Sequence, residues 1–213
     1  MTFTTLLLIR HGETAWNAEH RIQGQLDLPL SATGIRQAAQ LAARLAIEPI
    51  DALYSSDLAR AALTAAPVGA RTGNEVRLDA RLRERGFGVF QGLTLDEIAR
   101  ARPHDFERWR ARELDWAMPG GESARQLLER VSAALTEIVI EHRGATVAVV
   151  AHGGVLDVIY RQARALAWDA PRQHQMLNAS VNRIHAEGPP LAMRVVDWGD
   201  VSHLELARDE SVT

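Results

Sequence analysis

The sequence predicts an α/β fold: a three-layer α/β/α arrangement with a mostly parallel central sheet and an inserted helical lid. Short apolar runs recur along the chain, and those at residues 6–9 and 146–151 have the length and composition of strands buried on both faces. Longer amphipathic stretches separate these runs. Strands that alternate with helices form parallel sheets covered on both sides, which selects this fold class.

The first elements follow this alternation. After the strand at residues 6–9, apolar residues at helical spacing predict a helix over 31–46, and Ser31 is its expected N-cap. The elements predicted next are a strand at 52–54, an alanine-rich helix at 58–70 and a third strand at 75–78.

The interval 86–121 differs in texture from its surroundings. It holds glycine-rich turns, a helix that begins near Thr94 with a capping box to Glu97, and a tryptophan-bearing helix over 104–112. We interpret this interval as the lid over the sheet edge, and an ordinary pair of connecting helices is the alternative.

The C-terminal part returns to alternating elements. They are a long helix over 123–143, a fourth strand at 146–151 and a last strand at 193–198. No internal repeat or low-complexity linker divides the sequence, so we expect a single domain over 1–213.

The composition excludes several classes of chemistry. The chain has 213 residues and no cysteine, which removes disulfides, cysteine-ligated zinc, iron–sulfur clusters and a thiolate nucleophile. Its 24 basic and 27 acidic side chains give a net charge of −3, which argues against a nucleic-acid partner. The hydropathy pattern indicates neither a membrane span nor a signal peptide, so a cytoplasmic protein with no membrane partner is expected. The oligomeric state stays open.

Two predicted strands end in a similar way. His11 comes shortly after the first strand and His152 directly after the fourth, and glycine follows each histidine. Parallel strands bring their carboxyl ends to one edge, where ligands bind, so both imidazoles are expected there. Arg60, in the first turn of a helix, opposes the helix dipole and therefore indicates a bound anion or a carboxylate partner. With Arg10, these residues predict a phosphate pocket.

The sequence around these residues forms a series of motifs. The first is Leu8-Ile9-Arg10-His11-Gly12-Glu13-Thr14, followed by Trp16-Asn17, and the last is Val150-Ala151-His152-Gly153-Gly154. Between them lie Arg21-Ile22-Gln23-Gly24, Leu28-Pro29-Leu30-Ser31, Gly34, Ser55-Ser56-Asp57-Leu58-Ala59-Arg60-Ala61, Leu82-Arg83-Glu84 and the run 119–123. This series, which spans nearly the whole chain, resembles the histidine phosphatase superfamily of phosphoglycerate mutase-like enzymes.

The resemblance implies hydrolysis of a small phosphorylated metabolite through a phosphohistidine on His11. The attacking imidazole must be neutral, so its other nitrogen is expected to donate to a backbone carbonyl. Glu84 would protonate the leaving oxygen and then activate water. The residues that would hold the phosphoryl oxygens are Arg10, Arg60, His152 and Asn17. The remaining substrate-binding positions are Gln23 and Gly24 at the entrance, and Gly153.

A phosphoglycerate mutase is the main alternative. The family's mutases carry a His-Tyr pair after the acid, whereas this chain has Glu84-Arg85-Gly86-Phe87-Gly88, which favours the phosphatase. Its run Gly88-Val89-Phe90-Gln91-Gly92 also departs from the Gly-x-Trp-Glu-Gly of the phosphatases, so no substrate preference is transferred. No cofactor is expected, except 2,3-bisphosphoglycerate if the chain is a mutase.

Three further alternatives concern the same residues. A non-catalytic module could bind a phosphorylated partner, although it would need neither a nucleophile nor an acid. A metal could lie between His11, His152 and a carboxylate, but Arg10 would repel it. Glu84 could be only an ion-pair partner of Arg83 or Arg85.

Other polar and aromatic residues receive less specific interpretations. Glu13 is expected to cap a turn, and Glu122 with Ser123 is expected to begin a helix. Trp109 and Trp116 suit either the pocket floor or the core of the lid. The histidines without a motif, expected at the surface, are His20, His104, His142, His174, His185 and His203.

Overall fold

The computed structural model describes residues 3–205. Within this range a single sheet has six strands: β1 (Thr4–Arg10), β2 (Ala52–Ser55), β3 (Val76–Leu78), β4 (Thr146–Ala151), β5 (Val181–Glu187) and β6 (Ala192–Asp200). Their order across the sheet is β3-β2-β4-β1-β5-β6. The first four strands are mutually parallel, whereas β5 and β6 each run antiparallel to the preceding neighbour in that order. The predicted mostly parallel α/β sheet is confirmed.

Helices cover both faces of this sheet. The helices of the described range are α1 (Ala15–Ala18), α2 (Ala32–Leu45), α3 (Ala59–Thr72), α4 (Leu95–Ala101), α5 (Pro103–Arg110), α6 (Ala124–Glu141) and α7 (Gly153–Ala163). Successive side chains of a strand point to opposite faces, so Leu6 and Leu8 pack against α6 and α7. Leu7 and Ile9 pack against α2 and α3 on the other face. All four leucine and isoleucine side chains are fully buried.

Strand β5 was not predicted from the sequence. Its side chains alternate, because Ile184 and Ala186 are buried while Arg183 and His185 are partly exposed. This alternation is the ordinary sign of a strand with one face on the core. Asn182 obscures the pattern, since it is a polar residue at a buried position where its amide donates to the Leu8 carbonyl at 3.0 Å.

The segment 86–121 forms a third hydrophobic cluster apart from the two faces of the sheet. Phe90, Ile98 and Met118 are its buried centre, and the rings of Phe106, Trp109 and Trp116 pack around them. The predicted capping box at the start of α4 is confirmed: the Glu97 amide donates to Thr94 Oγ1, and the Thr94 amide donates to the Glu97 carboxylate. The role of this segment as a lid stays a prediction.

The strand register brings the motif residues to one edge. Arg10 at the end of β1 is the neighbour of Ala151 at the end of β4, and Ser55 of β2 is the neighbour of Val150. The next residues of these three strands, His11, His152 and Ser56, therefore leave the sheet side by side. Parallel pairing thus assembles the site from segments far apart in sequence.

A close backbone contact holds the loop after β1 against the start of α2. A Cβ atom at Gly34 would lie 2.0 Å from the Glu13 carbonyl oxygen, so only glycine fits there. Ser31 caps the helix and its Oγ accepts from the Gly34 amide at 3.1 Å. The loop that carries His11 therefore rests directly on helix backbone.

We expect the substitution Gly34→Ala to destabilise the protein by about 1–3 kcal/mol, because the new methyl group must displace backbone of the His11 loop. The matched control is Gly86→Ala, whose Cβ would have its nearest neighbour at 3.5 Å. Urea denaturation followed by circular dichroism measures both. Equal unfolding free energies for the two variants would contradict this account of the contact.

Candidate active site

His11 is a buried imidazole with one nitrogen committed to the backbone. Its Nδ1 lies 2.7 Å from the Gly12 carbonyl oxygen, which only accepts, so Nδ1 carries the proton and Nε2 keeps its lone pair. Burial and the charges of Arg60 and Arg10 hold the pKa of His11 well below its ordinary value. The ring is therefore neutral at physiological pH, and Nε2 is a competent nucleophile.

His152 lies beside it, with the two ring centroids 5.1 Å apart. Its Nε2 is 2.8 Å from Ser56 Oγ, and that oxygen also accepts from the Leu58 amide at 3.3 Å. A Ser56 hydroxyl that donates to Nε2 places the His152 proton on Nδ1, whereas a hydroxyl that accepts there places the proton on Nε2. Within residues 3–205 this buried Nδ1 has no hydrogen-bond partner. Burial, followed by the charges of Arg60 and His11, holds the pKa of His152 well below its ordinary value, so the ring is neutral.

Two buried guanidinium groups supply the positive charge of the site. Arg10 donates to the Met176 carbonyl. Arg60 donates from Nη1 to the Leu26 carbonyl at 2.9 Å and from Nη2 to the Gly24 carbonyl at 2.6 Å. These carbonyls orient the two guanidinium groups without carrying a formal charge that would cancel theirs.

The carboxylate of Glu84 reaches the site from a different segment. Its Oε1 accepts from the Arg85 amide at 2.7 Å and its Oε2 from the Gly154 amide at 3.0 Å. A Cβ atom at Gly154 would lie 2.3 Å from Glu84 Oε1, so glycine is required for this approach. The glycines after His152 therefore bring the carboxylate to the first turn of α7.

The ion-pair interpretation of Glu84 does not match these contacts. Arg83 instead binds Asp57 through two hydrogen bonds of 2.7 and 2.5 Å. The guanidinium of Arg85 donates to the carbonyls of Glu122 and Trp116 at 2.8 and 3.2 Å. Both arginines are thus engaged away from the Glu84 carboxylate.

Arg130 holds the Glu84 segment in place, and the sequence analysis did not identify it. From α6 its guanidinium donates to the carbonyls of Arg81 and Arg83, both at 2.7 Å, and to the carbonyl of Glu84 at 2.9 Å. It also binds the Glu122 carboxylate at 2.6 and 2.8 Å. The only sequence signal is an arginine beside the apolar stripe of α6, and its carbonyl partners lie 46–49 positions away.

The predicted substrate-binding residues have distinct surroundings. The side-chain oxygen Oδ1 of Asn17 accepts from the Thr14 amide at 2.8 Å. The buried Nδ2 of the same side chain has no hydrogen-bond partner within the described range. Gly24 has φ +55° and a Cβ there would lie 2.1 Å from Gln91 Oε1, so this turn requires glycine. A cavity of about 200 Å³ is lined by Gly24 and by Arg10, His11, Gln23, Arg60, Glu84 and Gly153, whereas Asn17 and His152 are not among its lining residues.

Several secondary predictions can now be compared with the structure. The Glu13 carboxylate contacts the start of α2, with Oε1 accepting from the Ser31 hydroxyl at 3.0 Å, and its predicted capping of a turn stays a prediction. Ser123 is the N-cap of α6, as predicted, and Glu122 belongs to the Arg130 contact. The surface prediction for His174 is wrong, because this ring is buried, stacks on Tyr160 and lies 3.0 Å from the Asp157 carboxylate. Tertiary packing of its loop hides the ring, and no local motif announces that.

Two searches of residues 3–205 returned no candidates. No group of three or more histidine or acidic side chains is arranged to hold a metal ion. No helix of the described range is long and apolar enough to cross a membrane.

A comparison with protein families decides the assignment. The model of the histidine phosphatase superfamily (branch 1) matches residues 6–200. The chain belongs to this superfamily. The matched range includes every residue that lines the cavity described above, from Arg10 to Met176.

The relatives of this histidine phosphatase include proteins named as mutase-like and proteins named as phosphatases. It is 42% identical over 207 residues to phosphoglycerate mutase-like protein 4 of Arabidopsis thaliana, covering 95% of this chain and 88% of the relative. The metal-independent phosphoserine phosphatase of the same plant is also 42% identical over 207 residues, covering 94% and 83%. A mycobacterial glucosyl-3-phosphoglycerate phosphatase, solved with VO3, superposes with a TM-score of 0.82 at 34% identity, covering 92% and 98%. These similarities support phosphomonoester hydrolysis, and mutase-like relatives exist as well.

The two neutral histidines predict how stability of this histidine phosphatase depends on pH. Because His11 and His152 have lowered pKa values when folded, the unfolded state binds more protons below its ordinary histidine pKa of 6.5. Stability is therefore complete above that pH, and each ring removes about 1 kcal/mol per pH unit as the pH falls below it. Urea denaturation in phosphate-free buffer at pH 7.5 and 5.5 measures the loss.

The variant His11→Gln should lose less stability between these two pH values than the wild type. His104→Gln, which removes an exposed ring, is the matched control and should keep the wild-type slope. A His11→Gln slope equal to that of the wild type would show that the buried imidazole is not the source.

The contacts of Arg130 predict a catalytic defect in Arg130→Gln. Acid–base catalysis contributes roughly 10²–10⁴-fold, and we expect at least tenfold of it to be lost when the Glu84 backbone is released. The rate is measured with p-nitrophenyl phosphate, and competitive inhibition by inorganic phosphate should stay close to the wild-type value. Arg81→Gln, which removes a surface pair with Asp79 and Glu137, is the control. Equal weakening of phosphate inhibition and turnover would assign Arg130 to the anion pocket instead.

Proposed function

We propose that this protein hydrolyses phosphomonoesters through a phosphohistidine on His11. The observation that carries the proposal is the Nδ1 contact with the Gly12 carbonyl, which leaves a buried neutral imidazole with its Nε2 lone pair available. In the first step Nε2 forms a bond to phosphorus while the bond from phosphorus to the ester oxygen breaks. In the second step a water oxygen attacks phosphorus, the P–N bond breaks, and inorganic phosphate leaves with His11 neutral again.

Glu84 is the proposed proton carrier between these steps. Its carboxyl group gives a proton to the leaving alkoxide, and the resulting carboxylate removes a proton from the attacking water. The amides of Arg85 and Gly154 hold its two oxygens at 2.7 and 3.0 Å. Because Glu84 gives one proton and takes one back in each turnover, the reaction needs no second acid.

The remaining pocket residues would stabilise the transferred phosphoryl group. Charge spreads over its three equatorial oxygens, so fixed donors around them lower the barrier. Arg10 and Arg60 provide the formal charge, and Asn17 Nδ2 provides a neutral N–H donor. His152 Nδ1 provides another in the tautomer in which the Ser56 hydroxyl donates to Nε2. Gly153, at the start of α7, adds the positive end of a helix.

The proposed reaction requires no resident metal or organic cofactor from this chain. The two guanidinium groups supply the charge that a metal ion supplies in other phosphatases. The relative named a metal-independent phosphoserine phosphatase supports this part of the proposal. A cytoplasmic location stays a prediction from composition.

Mutase activity is the second candidate, favoured by the relative named phosphoglycerate mutase-like protein. A mutase must keep water from the phosphohistidine and return the phosphoryl group to another hydroxyl of the substrate. It would require 2,3-bisphosphoglycerate to load His11. The run after Glu84 lacks the family's His-Tyr pair, so we rank hydrolysis first.

The variants His11→Ala and Glu84→Gln separate the two steps. His11→Ala should lose essentially all hydrolysis of p-nitrophenyl phosphate, and acid-labile phosphate should be trapped on the wild type but not on this variant. Glu84→Gln should be slowed by roughly 10²-fold or more while still binding inorganic phosphate. Wild-type rates should be unchanged by a chelator. Full activity of His11→Ala, or inhibition by the chelator, would overturn the mechanism.

A product analysis distinguishes hydrolysis from transfer of the phosphoryl group to another hydroxyl of the substrate. The wild type is incubated with 3-phosphoglycerate, with and without 2,3-bisphosphoglycerate, and both inorganic phosphate and 2-phosphoglycerate are measured. We expect phosphate release to dominate in both conditions. Formation of 2-phosphoglycerate faster than phosphate would make the chain a mutase.

A further inference from the structure

A buried glutamine of helix α2 lies behind the loop that carries His11. The buried residues of α2 recur at helical spacing and are Gly34, Gln37, Ala38, Leu41, Ala42 and Leu45. Gln37 is the polar side chain of this stripe, and it is only 2% exposed. Burying a side-chain amide costs free energy unless its polar atoms form hydrogen bonds. The partner of Gln37 therefore shows why a polar residue lies at this core position.

That partner is the peptide group between Gly12 and Glu13. Gln37 Oε1 accepts from the Glu13 amide at 2.8 Å. The Gly12 carbonyl belongs to the same peptide group, and its oxygen lies 2.7 Å from His11 Nδ1, whose proton it accepts. One planar peptide group thus joins Gln37 on one side to the imidazole on the other.

Hydrogen bonds at the two ends of a peptide group strengthen each other. Resonance moves electron density from the nitrogen to the oxygen, so an acceptor on the Glu13 N–H makes the Gly12 carbonyl oxygen a stronger acceptor. When His11 Nε2 bonds to phosphorus, the ring gains positive charge and its Nδ1 hydrogen bond becomes charge-assisted. The contribution of Gln37 is therefore larger during phosphoryl transfer than in the free enzyme.

The neighbouring peptide group of the same loop has other partners. The Gly12 amide donates to Thr64 Oγ1 at 2.9 Å, and the Thr64 hydroxyl donates to the Arg60 carbonyl at 2.7 Å. The carbonyl of this peptide group, that of His11, accepts from Asn178 Nδ2 at 3.0 Å. Thr64 and Asn178 are fully buried. Because none of these bonds reaches the imidazole ring, this peptide group anchors the loop without acting on the nucleophile.

We propose that Gln37 is a positioning residue for the nucleophile. Through the peptide group between Gly12 and Glu13 it fixes the proton of His11 on Nδ1 and stabilises the charge that the ring gains. The proton stays on Nδ1 while the bond from Nε2 to phosphorus forms and the bond from phosphorus to the ester oxygen breaks. Gln37 is not among the residues that line the cavity. The proposal rests on the proposed phosphatase function and adds to it a residue that acts from the core.

The substitution Gln37→Met tests this role in the enzyme reaction. Methionine has a similar length and volume but offers no oxygen to the Glu13 amide. We expect kcat for p-nitrophenyl phosphate to fall roughly 3- to 20-fold, the effect of weakening one hydrogen bond by a fraction of its strength. Competitive inhibition by inorganic phosphate should stay close to the wild-type value, because Arg10 and Arg60 are unchanged. A loss of phosphate inhibition as large as the loss of kcat would overturn the proposal.

Thr64→Val is the matched control for the anchoring of the loop. It also leaves one buried amide of this loop without its acceptor, so urea denaturation should show a loss of stability similar to that of Gln37→Met. The acceptor of the His11 ring is intact in this control, so its kcat should fall less than that of Gln37→Met.

The hydrogen bond of the ring is observed directly by NMR of protein with isotope-labelled histidine. The wild type should show the His11 proton on Nδ1, with the downfield signal of a strong hydrogen bond, and the spectrum of His11→Gln identifies that signal. Gln37→Met should move it upfield, whereas Thr64→Val should leave it in place. Gln37→Asn, which draws the amide oxygen back by one methylene group, tests the same contact if methionine is not tolerated. An unmoved signal, or equal movement in the control, would assign Gln37 a structural role only and overturn the proposal.

The spectra need no turnover, which keeps this test separate from the hydrolysis proposal. A signal that moves in Gln37→Met but not in Thr64→Val supports the positioning role even if the wild type hydrolyses no phosphomonoester. An unmoved signal together with an active wild type rejects the positioning role and leaves the phosphatase function standing.

Discussion

The structure depends on concentrating positive charge around an imidazole that must stay uncharged. Burying a guanidinium is costly unless its N–H groups find acceptors. Backbone carbonyls are among the acceptors here, that of Met176 for Arg10 and those of Gly24 and Leu26 for Arg60. A carbonyl carries no formal charge, so these contacts do not cancel the guanidinium charge, which attracts an anion. Burial, together with this charge, lowers the pKa of His11 and keeps its Nε2 unprotonated.

The sheet topology explains how so small a pocket draws on so much of the chain. Strands β1, β4 and β2 are adjacent and parallel, so three loops that are distant in sequence start from one edge. Two of them present histidines, and the third presents Ser56, which orients His152. Glycines at positions 12, 34 and 154 let the backbone of these loops approach neighbouring groups more closely than any side chain would allow. Strand order and glycine placement together set the geometry of the site.

The parts of this arrangement that follow local sequence rules could be predicted. His11, His152 and Arg60 were placed at one edge because buried strands have a direction, and the capping box of α4 follows from two residues. What escaped depends on contacts between distant segments. Arg130 is an ordinary helix residue until its carbonyl partners at positions 81, 83 and 84 are known. His174 is buried by the fold of its loop, which has no local signature in the sequence. Strand β5 escaped for a different reason: its alternation is visible, but buried Asn182 obscures it.

The connection between Glu84 and the core has a consequence for how the activity of the enzyme responds to heating. The acid lies outside the sheet, and the Arg130 guanidinium ties its backbone carbonyl to the 18-residue helix α6. Breaking that contact frees the acid without separating the hydrophobic layers, because Arg130 belongs to neither of them. We therefore expect activity to be lost at a lower temperature than structure, and to recover on cooling as long as the layers have not separated. A folded enzyme with reduced activity is the expected first stage of its thermal inactivation.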